Sequence, residues 1–118
     1  MVSIEHLARV ALAGDALELR SLSQEWVREN QPFVSIPFPQ VNDPDILAVA
    51  ASLLEMFAER AGQAAPRWTQ DVPPAARPIF LLREARTMPR LHKLCEDSAP
   101  AALRRRHVYA PPNFLEFA

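Results

Sequence analysis

The chain has 118 residues, 49% of them apolar and 23% charged, with a formal net charge of −1. Those values describe one globular domain able to build a single core. They exclude a disordered segment, a membrane protein and the uniformly basic kind of nucleic-acid binder. The longest apolar run, residues 46–54, is broken by Ser52 and then Glu55, well short of the roughly 20 residues of a membrane span. The first residues lack a basic region followed by an apolar block, since Glu5 and Arg9 punctuate them, so no secretory signal is expected.

Ser3 is the expected N-cap of a first helix, with Ile4, Leu7, Ala8, Ala11 and Leu12 on one face and Gly14 as its left-handed stop. Asp15 caps a second helix and forms a capping-box pattern with Glu18; Ala16, Leu19, Leu22, Ser23 and Trp26 make its apolar stripe. Residues 1–30 are therefore a helical hairpin. Val34, Ile36 and Phe38 alternate, but Pro37 and Pro39 reduce that run to an extended packing loop. Asp43 before Pro44 is the strongest helix start in the chain, and residues 44–61 form the expected central helix, closed by Gly62. Its apolar positions, Ile46, Val49, Ala50, Leu53, Leu54 and Phe57, are spaced for contacts on more than one side.

Twelve prolines against two glycines mark stiff connections between these helices. Residues 78–106 are expected to hold short helices. Pro78 opens one with Ile79, Phe80, Leu82 and Ala85; Thr87 caps another with Leu91, Leu94 and Cys95 inward; Ser98 caps a last turn through Leu103. Three cap-then-proline starts, at Asp43, Thr87 and Ser98, give an all-α, small single-domain helical bundle over residues 1–118. Residues 107–118 form an extended tail, because Pro111 and Pro112 are incompatible with a helix.

Chemistry-bearing constellations are sparse. His92 and Cys95 lie one turn apart, but a structural zinc site needs four ligands and no second pair stands at suitable spacing. Asp43 and Asp45 resemble a magnesium-holding pair, yet capping of a helix start explains both. Two glycines cannot build a phosphate-cradling loop, and the serines lack a nucleophile elbow. No catalytic, cofactor-binding or metal-binding residue is therefore assigned, and an enzyme is not expected. The hairpin turn at Gly14 is shared with helix-turn-helix proteins, but a second helix carrying Glu18, Glu25 and Glu29 would be repelled by phosphate.

The chain is electrostatically lopsided. Residues 1–61 carry nine acids against four arginines, and residues 62–118 carry nine bases against five acids. The cationic half ends in Arg104, Arg105 and Arg106, followed by Tyr109, Phe114, Leu115 and Phe117. An apolar tail beside a basic triplet must dock on its own core or on a partner. Those seven residues are the expected partner-binding set: arginines pair with carboxylates while the aromatics fill a groove. A nucleic-acid-binding regulator using the same arginines, or a structural homodimer, are the alternatives. The single cysteine fits the reducing cytoplasm, the expected location.

Through residues 80–91 (FLLREARTMPRL), 94–96 (LCE), 103–106 (LRRR) and 110–115 (APPNFL) the chain resembles a group of short uncharacterised bacterial proteins. The likeness covers most of the chain, weakly over residues 43–62 and most clearly from Phe80 onward. Such proteins are often encoded beside a predicted nucleotidyltransferase, in pairs that resemble toxin-antitoxin modules. The resemblance implies a small partner-binding protein, the antitoxin or accessory half of such a pair, and carries over no catalytic residue.

Overall fold

The structure, a computed structural model, describes residues 2–116. Among these described residues five α-helices build an all-α domain in the order α1 (Ile4–Ala13), α2 (Ala16–Glu29), α3 (Pro44–Ala61), α4 (Pro89–Ser98) and α5 (Ala101–Arg104). None of the described helices is long and apolar enough to cross a membrane. Ser3 accepts a hydrogen bond from the His6 N–H, Asp15 from that of Glu18, and Gly14 closes α1 at φ 81°. The hairpin turn is also tied to the C-terminal half, because Arg83 Nη2 donates to the Ala13 carbonyl at 2.6 Å.

α3 is the axis of the molecule. Residues 48–58 are buried all round, and the helix packs against α1 on one side and α5 on another. This is why its apolar pattern is broader than one stripe. Asp43 caps it, accepting from Asp45 N–H at 2.9 Å and Ile46 N–H at 3.4 Å, with Pro44 in the first turn and Gly62 at φ 67° beyond its end. Removing that cap with Asp43→Ala is expected to cost about 0.5–2 kcal/mol of stability, read as a lower urea midpoint with an unchanged slope.

Trp26 is 1% exposed and joins the hairpin to the core through its rings: Phe33 stacks on it at 5.5 Å and Phe57 lies at 5.8 Å. The segment after α2 is a 3-10 turn over Phe33–Ser35 followed by extended chain. Phe33 N–H donates to Gln63 Oε1, and Trp68 Nε1 donates to the Ile36 carbonyl at 2.8 Å. Trp68 thus fastens the proline-rich connection to the loop opposite, with Phe38 edge-on to its ring at 5.4 Å.

Four expectations for the C-terminal half need correction. Ile79 and Phe80 do not enter a helix: they form β1 (Ile79–Phe80), a two-residue strand paired in parallel with β2 (Val108–Tyr109). The helical turn begins only at Arg83. Thr87 does not cap α4; Met88 is its N-cap, without a side-chain bond, and the Thr87 hydroxyl donates to the Glu84 carbonyl. Ser98 is the last residue of α4, and Pro100 is the N-cap of α5. On α4 Cys95 is fully buried and Leu91 half-buried, but Leu94 is 44% exposed and not inward.

Candidate functional site

The arginine triplet divides by register. α5 is a single turn, so successive residues at its end point in different directions. Arg106 is buried, 6% exposed. Its Nη1 meets Glu55 Oε1 at 2.5 Å and its Nη2 meets Glu55 Oε2 at 3.1 Å. Nε donates to the Val72 carbonyl and Nη2 also to that of Thr69. The guanidinium therefore gathers α3 and the proline-rich connection around one point. Arg105 is exposed on the same side; its Nη2 bridges Glu59 at 2.9 Å and Glu55 at 3.2 Å. Arg104 is exposed and makes no ion pair with the described residues.

Burial by itself would raise the Glu55 carboxyl, but hydrogen bonding and charge from Arg106, aided by Thr69 and Arg105, hold it below the ordinary glutamate value. The Glu59 hydrogen bond raises the Arg105 guanidinium against the opposing effect of burial. The network is internally matched: two carboxylates, two guanidiniums and two backbone carbonyls face one another.

The tail lies on its own domain. Tyr109 is half-buried in β2, with its ring 5.2 Å from Phe80, which in turn stacks on His92 at 4.2 Å. Phe114 and Leu115 are 7% and 6% exposed and belong to the core. Arg60 Nη1 of α3 donates to the Phe114 carbonyl at 2.6 Å. Phe117 lies outside the described residues. Of the seven expected contact residues, Arg106, Phe114 and Leu115 are thus committed to internal contacts, and Arg104 is the most available.

His92 presents Nδ1 to the Ala85 carbonyl at 3.1 Å and Nε2 to Glu96 at 3.4 Å. Both nitrogens face acceptors, and Cys95 is buried with its thiol pushed up by that burial. Asp43 serves as a cap and Asp45 sits in the first turn of α3. No cluster of three or more His, Cys, Asp or Glu suited to a metal ion occurs among the described residues.

One surface feature was not legible as a site. The entry to α1, the end of α2 and the Ile36 to Val41 stretch enclose an open groove of about 470 Å³, lined by Ile4, Trp26, Ile36, Phe38 and Val41 with Glu5, Arg9, Asn30 and Gln40 among its polar groups. Phe38 is 46% exposed and Val34, nearby in the chain, 51%. Pro37 and Pro39 were the only signal: they hold Phe38 on an extended backbone that cannot fold it inward as a helix would.

Searches against protein-family models, curated proteins and solved structures return no match to this chain.

Proposed function

We propose that this chain is a non-enzymatic, cytoplasmic protein-binding module, the antitoxin or accessory partner of a nucleotidyltransferase-like toxin. The observation that carries the reading is the groove beside Phe38: a half-exposed aromatic, braced by Trp68, next to an apolar trough with charged and amide groups along it. An anchored aromatic within an apolar patch and a polar surround is the anatomy of an interaction hot spot. The resemblance to bacterial proteins encoded beside nucleotidyltransferases supplies the partner class. Arg104, exposed and unpaired among the described residues, remains the cation of the triplet best placed to meet an acidic partner.

The reading expects a nucleotidyltransferase to be encoded beside this chain's gene, and titration calorimetry with the product of that adjacent gene tests it. Phe38→Glu is expected to weaken binding by about 100-fold, the scale of a hot-spot residue, with an unchanged circular dichroism spectrum. Arg104→Glu should weaken it less and mainly at low salt. Undiminished affinity of Phe38→Glu would refute the groove as the contact. Duplex DNA retained at nanomolar affinity would favour the regulator reading, and a dimer dispersed by Phe38→Glu in sedimentation the structural one.

A further inference from the structure

The end of the described chain is held to the domain by side chains rather than by backbone pairing. The Tyr109 carbonyl accepts from Leu81 N–H at 3.0 Å, and beyond it no backbone–backbone hydrogen bond reaches another element among the described residues. The bonds from Phe114 N–H to the Pro111 carbonyl and from Glu116 N–H to that of Asn113 are internal turns. Two arginines on different helices reach over instead: Arg60 of α3 to the Phe114 carbonyl, and Arg20 of α2 to the Glu116 carbonyl at 3.4 Å.

Leu115 is held at φ 53°, a left-handed conformation that a branched L-residue adopts only when its surroundings impose it. Alongside lies an open cavity of about 450 Å³, lined by Val27, Phe57, Arg60, Ala61, Leu115 and Glu116, so the apolar shelf extends past the segment that covers it. Burial lowers the Arg60 guanidinium from its ordinary value, against the pull of the nearby Glu116 carboxylate; opening would return that charge to water.

We propose that residues 111–116 are a strap that opens as a unit while the helical core stays folded, baring the shelf around Val27 and Phe57 together with the strap's own Phe114 and Leu115. The shelf's occupant is the strap itself, and Arg60 is the latch. Backbone strain, turn-only backbone hydrogen bonding and side-chain latches place the opening of this segment below the energy of global unfolding. The inference stands apart from the partner reading, since it concerns the free chain.

Native-state hydrogen exchange on the intact protein tests it. The Phe114 and Glu116 amides should exchange at least about 100-fold faster than those of Leu53 and Leu54, which open only with the whole domain. Their rates should stay nearly flat in low urea while the α3 rates climb, because strap opening exposes little surface. A frayed turn would also release those two amides, so Leu115→Cys supplies a side-chain readout against the buried Cys95 of the same molecule. The introduced thiol should react with a maleimide well before Cys95 and without urea dependence, and adding Arg60→Ala should speed it about tenfold, the weight of one hydrogen bond from a charged donor. If both thiols react together with the same urea dependence, the tail leaves only on global unfolding and the proposal fails. It fails equally if Arg60→Ala leaves the labelling rate unchanged.

Discussion

Glu55→Ala is expected to lower the stability of this domain by about 3–5 kcal/mol, because removing one partner of a buried ion pair leaves the other charge uncompensated. The stranded group is Arg106, 6% exposed and left, among the described residues, with the Val72 and Thr69 carbonyls. Against a total of about 5–15 kcal/mol for a domain of this size, the melting temperature should fall by more than about 10 °C. The double variant Glu55→Leu with Arg106→Met should recover most of the loss, since apolar residues of similar volume often replace a buried pair without cost. A double variant as unstable as Glu55→Ala would mean that the packing of the proline-rich connection, not the charge pair, depends on Arg106. Acid provides a second reading of the same pair. The Glu55 carboxyl is depressed in the folded state, so its contribution is complete above the ordinary glutamate value and is lost as pH falls through the depressed one. Wild type should therefore lose stability on acidification along a limb that is flatter in Glu55→Gln, and parallel profiles would contradict this.

That pair also shows where the sequence stops being informative. Glu55 is legible only as the residue that ends an apolar run, and Arg106 only as the third of three arginines. What pairs them is a contact across 51 positions, which no local pattern encodes. The helix starts divide in the same way. Asp43 stands immediately before Pro44, so cap and first-turn proline occupy adjacent positions and the start is read correctly. Thr87 and Ser98 stand two residues before their prolines; at Pro89 the cap position falls to Met88, and Pro100 itself becomes the cap. The hairpin and the central helix were thus readable from caps and period. The β1–β2 pairing joins residues 29 positions apart through two residues each, too short to show alternation. Phe38 escaped as a site for a related reason: a single exposed aromatic is ordinary until the groove beside it is assembled from three separate segments.

Deleting residues 113–118 is the change that decides what the tail is for. Phe114 and Leu115 are each more than nine-tenths buried, and burial of such side chains is worth about 1.5–3 kcal/mol apiece. The deletion also leaves Arg60 without the carbonyl it donates to. Part of the gain is offset in the intact protein by the left-handed backbone at Leu115 and by the ordering of the chain. The net loss is therefore expected near 3 kcal/mol, or about 10 °C of melting temperature, with a cooperative transition and a helical spectrum retained. That loss should equal the free energy of strap opening measured by exchange, because an opened strap and an absent one leave the same core behind. A shortened chain that no longer folds would make the tail an integral part of the core. A shortened chain as stable as the full one would mean that Phe114 and Leu115 contribute no net packing in isolation, and their burial would then have to matter in contact with another molecule. Partner capture by the shortened protein separates the two roles once more: retained binding through the Phe38 groove assigns the tail to stability, and lost binding by a folded, truncated chain assigns Phe114 and Leu115 to the contact itself.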